Sequence, residues 1–152
     1  MTNLDRMKHF ALFLIFLTFM SCQEKSKMKT IINTEKAPAP IGPYSQAVRT
    51  GGTLYLSGQI AIDPATGELK TSDIQTETHQ VMKNIGAVLN EAGFDYSNIV
   101  KCSIFIADMD QFSAINEVYG SYFEKDFPAR ETVEVARLPK DVKVEISVIA
   151  VR

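Results

Sequence analysis

The densest regular pattern in the chain is FPARETVEVARLPKDVKVEI, from Phe127 to Ile146, and it carries on to Val151. From Thr132 to Arg137 the side chains alternate, Val133 and Val135 on one face and Glu134 and Ala136 on the other, the period of a strand. Pro128 has no N–H to give to a ladder and suits the loop just before that strand, which puts Arg130 at its entrance. Leu138-Pro139-Lys140-Asp141 supplies turn chemistry. The run VKVEISVIAV then predicts a second strand, with Val142, Val144, Ile146, Val148 and Ala150 on one face and Glu145, Ile149 and Val151 on the other. Both faces are mainly apolar, so this strand is expected at the centre of a sheet, buried on both sides. Glu145 is then a carboxylate where water is scarce. It must find a cation or a hydrogen-bond donor, or hold its proton more tightly than usual.

Upstream the pattern predicts the rest of an α+β domain. Thr30 to Thr34 reads as a short first strand, and Ala37-Pro-Ala-Pro-Ile-Gly-Pro-Tyr44 as a stiff extended loop that no helix can absorb. That loop delivers Tyr44 to a fixed place, either as a packed aromatic with its hydroxyl on the nearest carbonyl or as part of a site. Ala47–Arg49 and Thr53–Ser57 flank Gly51-Gly52 and predict a hairpin, and Gly58 ends its second strand where another chain or a ligand can approach the backbone. A turn at Asp63–Gly67 follows. Ser72 with Gln75 forms a capping-box pattern, Gly93 fits the residue after a helix, and Ile74, Val81, Ile85, Val88 and Ala92 make one apolar stripe between them. His79 lies off that stripe and reads as a surface residue. Ile99–Ala107 predicts a strand, in which Cys102 is a small buried hydrophobe with no histidine near it in sequence to make it a nucleophile. Asp108 and Gln111 cap a second helix with the stripe Phe112, Ile115, Tyr119 and Tyr122, and Asn116 sits at the edge of that stripe. The order β, β, β, α, β, α, β, β predicts one mixed sheet with both helices on one face. The other face carries apolar residues and is expected to be covered by further subunits.

The first residues do not fit this domain. Arg6 and Lys8 precede an apolar run from Phe10 to Met20, followed by Ser21-Cys22. The run is too short to span a bilayer and has the plan of a secretory leader. It resembles a bacterial lipoprotein signal, residues 1–21, with Cys22 as the lipidated residue, 22–29 as a polar tether and 30–152 as the domain. An uncleaved anchor helix, or a start at Met7 or Met28, would be the other way to read it. Lipidation at Cys22 leaves Cys102 as the one free thiol, so an oxidising compartment would not mispair the fold. The expected location is the cell envelope, with the membrane met only through the lipid, or the cytoplasm if the leader is unused.

Composition mainly excludes. With 45% apolar and 22% charged residues the chain is an ordinary globular one. A net charge of -2 and a pI near 5.7 give no general attraction to nucleic acid or acidic lipid. No GxGxxG, Walker loop or Cys-x-x-Cys is present, and two histidines, His9 and His79, do not make a metal site.

Taken together, IGPYSQAV, LYLSGQI, the DPATGE turn, FPAR and VEVARLPKDVKVEISVIAV resemble the Rid/YjgF family of reactive intermediate deaminases, and the likeness runs from Thr30 to Arg152. It implies a chorismate-mutase-like α+β domain assembled as a homotrimeric barrel, with ligand sites in the clefts between subunits. It implies hydrolysis of 2-enamino and 2-imino acids to 2-oxo acids and ammonia, with no cofactor and no metal. The family's carboxylate-binding arginine falls on Arg130, whose planar fork can grip a carboxylate through two hydrogen bonds. Its acidic residue falls on Glu145, which would orient or deprotonate water and stabilise the iminium nitrogen. Tyr44, Ser57 and Asn116 fall on pocket positions, and Gly58 on the glycine whose backbone approaches ligand from the neighbouring subunit. One position departs: Thr132 stands where the family often has cysteine, and imine hydrolysis does not require a covalent intermediate.

Two alternatives stay open at this level. Arg130 and Glu145 could form a buried ion pair across adjacent strands. The cleft could also hold small carboxylates, such as 2-oxo acids, without turning them over. Ribonuclease activity, attributed to some relatives, is disfavoured by the acidic pI and the lack of a basic aromatic groove.

Overall fold

The alternating runs become strands and the stripes become helices in the computed structural model, which describes residues 28–152. The leader, Cys22 and the tether as far as residue 27 lie outside the described residues. Among the described residues no helix is long and apolar enough to cross a membrane. The strands are β1 (Thr30–Ile32), β2 (Ala47–Thr50), β3 (Thr53–Gln59), β4 (Ile99–Ile106), β5 (Ala129–Glu134) and β6 (Val144–Val151). The helices are α1 (Ile74–Glu91) and α2 (Phe112–Gly120). Fold class and element order agree with the expectation: one mixed sheet and two helices packed on one face of it.

Local chemistry explains most boundaries. The two-residue turn between β2 and β3 closes because Gly51 takes a φ of 57°, which costs a residue without Cβ little. α1 is capped by Asp73 rather than Ser72: the Asp73 carboxylate accepts from the Thr76 N–H at 2.7 Å, and Ser72 merely donates to Asp73. Asp108 caps a short 3-10 turn, Met109–Gln111, and α2 begins only after it. The α1 stripe Ile74, Val81, Ile85, Val88 and Ala92 is buried throughout. It packs with Leu54, Leu56, Ile104, Val144, Ile146 and Val148 from the sheet. The whole of this core is drawn from residues between Ala37 and Ala150.

Strand order is where the sheet departs from chain order. It runs β1-β2-β3-β6-β4-β5, so β6 is central as expected. β5 begins at Ala129, earlier than the alternation indicated, and pairs parallel with β4. β4 therefore lies between β5 and β6, although the two are consecutive in sequence. Arg130 pairs in register with Cys102, which is buried in the main core, and so points to the helix-covered face. Glu145 pairs with Phe105 and lies between the core residues Val144 and Ile146, and so points to the opposite face. The ion-pair reading is thereby corrected: the two residues are neither on adjacent strands nor on the same face.

Candidate functional site

Arg130 meets a prepared surface on α2. Phe112, Asn116 and Tyr119 stand at i, i+4 and i+7, one stripe of the helix, and this stripe receives the guanidinium. Its central carbon lies 5.6 Å from the Phe112 ring centroid and 5.2 Å from that of Tyr119. Asn116 Oδ1 accepts from Arg130 Nη1. A guanidinium can only donate, so the amide oxygen must face it, and the Asn116 NH₂ is left to donate elsewhere. Among the described residues no carboxylate forms an ion pair with Arg130. Asn116, Tyr119, Gly120, Phe127, Pro128 and Arg130 line a cavity of about 460 Å³. Cation and amide donors without an acceptor of opposite charge make a receptor for an anion, with Phe127, 64% exposed, as an apolar wall.

Thr132 lies two residues further on the same face, opposite Ile104, with its Oγ1 buried and unpartnered among the described residues. It is not among the residues lining the cavity. Cys102 is fully buried and burial pushes its thiol up, so it is the inert small residue expected. Its neighbour Tyr119, whose phenol is also raised by burial, has a buried hydroxyl without a hydrogen bond among the described residues.

Glu145 lines a second cavity, of about 220 Å³, with Ile41, Tyr44, Ser57, Gly58, Ile60 and Pro139. No hydrogen bond or ion pair engages its carboxylate among the described residues, and burial raises its pKa above the usual range. The proline-rich loop places Tyr44 here by folding onto itself: the Tyr44 hydroxyl accepts from the Ile41 N–H at 3.1 Å, which leaves its own proton to donate. It does not seek a carbonyl. The Ser57 hydroxyl donates to the Ser45 carbonyl at 2.7 Å, so only its lone pairs remain for a ligand. Ser57 and Gly58 form a bulge in β3, because Leu56 pairs with Val148 and Gln59 with Ile146.

Within one chain the named residues thus fall into two groups. Arg130 with Asn116 makes one half-site, and Glu145 with Tyr44, Ser57 and Gly58 makes the other, on the opposite face of the sheet. Phe112, Tyr119 and Phe127 belong to the first half-site and Ile41, Ile60 and Pro139 to the second, and the sequence alone did not single them out. Phe112 and Tyr119 read as ordinary core residues of an apolar stripe. The one signal available was Asn116 standing between two aromatics at helical spacing. His79 is away from both cavities; its Nδ1 lies 2.9 Å from the Tyr122 hydroxyl, so it is exposed but engaged. Among the described residues no group of three or more histidine, cysteine, aspartate or glutamate side chains could hold a metal ion.

An α+β sheet with an anion-receiving cavity on one face and an unpaired carboxyl on the other describes a protein class that known sequences and structures also define. The chain belongs to the Rid/YjgF family: the family profile described as Endoribonuclease L-PSP matches residues 34–152. A 2-iminobutanoate/2-iminopropanoate deaminase of Capra hircus is 50% identical over 127 residues, 84% of this chain and 93% of the relative. A solved structure of a protein of unknown function of the conserved Rid family from Yersinia pestis is 52% identical with a TM-score of 0.80, covering 82% of this chain and 100% of that one. The structure of E. coli TdcF with bound serine is 44% identical with a TM-score of 0.78, covering 81% and 98%.

Proposed function

We propose that this protein hydrolyses reactive 2-imino and 2-enamino acids to 2-oxo acids and ammonia, without a cofactor, at sites completed between the subunits of a homotrimer. The observation that carries this reading is the complementary state of the two half-sites among the described residues: a guanidinium with no carboxylate partner, and a carboxyl with no cation. An imino acid has the matching groups, a carboxylate for Arg130 and an electrophilic C=N carbon with a cationic nitrogen for the neighbourhood of Glu145. The similarity to chains named as 2-iminobutanoate/2-iminopropanoate deaminases supports it.

In the proposed reaction Arg130 and the Asn116 amide hold the carboxylate. Water adds to C2 of the iminium as Glu145 takes one of its protons, giving a carbinolamine. Glu145 returns that proton to nitrogen, the C–N bond breaks to release ammonia as Glu145 takes the hydroxyl proton, and ammonia carries that proton away as ammonium when the 2-oxo acid leaves. A carboxyl whose pKa is raised by burial is better matched to such exchange near neutral pH than an ordinary glutamate. Tyr44 can donate its free proton to the developing hydroxyl.

We also propose that residues 1–21 direct the protein to the cell envelope, where Cys22 carries the lipid that holds it on a membrane. Labelling with a lipid precursor, lost in Cys22→Ser, is the expected result.

The enzymatic test uses the chain from Met28 onward, which contains every described element. A serine or threonine dehydratase supplies the imine, and semicarbazide competes for it. The protein is expected to suppress semicarbazone formation, and Arg130→Ala to abolish the effect. A folded oligomer that binds 2-oxobutanoate but suppresses nothing would instead establish a carboxylate-binding protein. RNA cleavage that survives Arg130→Ala, with no deamination, would establish a nuclease.

A further inference from the structure

Gly58 is not a glycine because its backbone needs one. Positive φ occurs among the described glycines at Gly51, Gly67 and Gly93, and Gly58 is not among them. What glycine supplies at this position is space. A Cβ built on Gly58 would overlap the Glu145 carboxylate oxygen Oε1, and would lie 2.7 Å from its Cδ and 3.0 Å from its Cγ. Those separations are well inside carbon–carbon contact distance, so the side chain of Glu145 fills the volume that any other residue at position 58 would occupy.

The surroundings hold this arrangement from the β3 side. The bulge at Ser57-Gly58 brings the backbone of β3 against Glu145 on the neighbouring strand. Gln59, 5% exposed, donates its side-chain amide to the carbonyls of Ser57 at 3.1 Å and Gly58 at 3.4 Å, which ties the bulge in place. Among the described residues Glu145 has no hydrogen-bond partner of its own to fix it. Of the residues lining its cavity it is the one charged group, and Tyr44 is the one other titratable group. The carboxylate therefore stands in the space that the absent Gly58 side chain leaves open.

We propose that Gly58 is a positioning residue for Glu145, its missing side chain forming the seat that holds the carboxylate toward the cavity. This rests on the role given to Glu145 above. It differs from a role in which the Gly58 backbone meets ligand directly, because it predicts coupling between positions 58 and 145 within one chain.

The test is a cycle of Gly58→Ala, Glu145→Asp and Gly58→Ala/Glu145→Asp in the chain from Met28 onward. Gly58→Ala should lower kcat by at least about tenfold, the scale expected when a reacting group is displaced by an ångström. Glu145→Asp should also be impaired, because its carboxylate is withdrawn by one methylene. The double variant, in which the shorter side chain leaves room for the new methyl, should exceed both single variants. A double variant no better than Gly58→Ala, or an undiminished Gly58→Ala, would overturn the proposal. A second readout does not depend on turnover: the ¹³C signal of the Glu145 carboxyl, assigned with Glu145→Gln, should titrate nearer the ordinary glutamate range in Gly58→Ala than in the parent. An unmoved signal overturns the seat even if the deaminase reading holds. A moved signal in a protein without turnover supports the seat and sinks only that reading. If Gly58→Ala does not fold, Gly58→Ala/Glu145→Ala should, since it removes the overlapping group; failure of both counts against the proposal.

Discussion

Arg130 shows how far the use of a cation depends on what surrounds it. The guanidinium is flanked by the Phe112 and Tyr119 rings and bonded to Asn116, and none of the three neutralises it. A carboxylate would have satisfied the arginine and removed its use. Rings and an amide hold its orientation and leave its charge for a ligand, each ring contact contributing about 0.5–2 kcal/mol. Tyr119→Leu is accordingly expected to raise KM for an imino acid roughly two- to thirtyfold, the equivalent of one such contact, with kcat little changed. Tyr119→Phe keeps the ring and should stay near the parent value, although it removes the hydroxyl. Equal impairment of both variants in steady-state kinetics would show that the hydroxyl, not the ring, matters.

At the scale of elements, α1 is fastened to the strand that carries Glu145. Glu77, in the first turn of α1 and fully buried, accepts from the backbone N–H groups of Lys143 at 2.6 Å and Val144 at 3.1 Å through Oε1. Oε2 has no partner. Burial outweighs those two bonds and raises the pKa of Glu77. A carboxyl that binds its proton more tightly folded than unfolded stabilises the protein at low pH, and that contribution is lost as pH rises through its folded value. Glu77→Gln keeps an acceptor for both N–H groups and does not titrate. Its Tm relative to the parent should therefore climb as pH rises above about 4.3, the unfolded glutamate pKa. Glu145, also raised, is present in both proteins and cancels in the difference. A constant offset between the two melting curves would mean that Glu77 keeps its ordinary pKa.

At the scale of the whole molecule, the half-sites cannot meet inside one chain, because β4 and the thickness of the sheet separate them. The face that carries Glu145 also leaves Tyr55, Val133 and Val151 exposed, at 49%, 43% and 45%. It is not uniformly apolar, since Glu131 accepts from Lys101 and Ser103 upon it. Light scattering on the chain from Met28 onward should give three times the monomer mass. Intersubunit sites make a sharper expectation for mixed oligomers. If each site takes Arg130 from one chain and Glu145 from another, an equal mixture of Arg130→Ala and Glu145→Gln chains, refolded together, should regain about one quarter of the parent activity by random assembly. Sites contained in single chains would regain none.

The amino-acid sequence was enough to establish the elements, their order and the inward faces of β6, α1 and α2, because these depend on periods of two and 3.6 residues and on local caps and turns. It was also enough to mark Arg130 and Glu145 as charges that the pattern did not explain. Which strands pair was a different matter. Alternation tells which side chains share a face of one strand and nothing about the neighbour, so the consecutive strands β5 and β6 looked adjacent until β4 was seen between them. Only the tertiary structure could set Arg130 against Phe112 and Tyr119, or Glu145 against Gly58. In each contact a charge that stands out in the sequence meets a partner that does not: two helical aromatics that read alone as core, and a glycine that reads alone as the end of a hairpin strand.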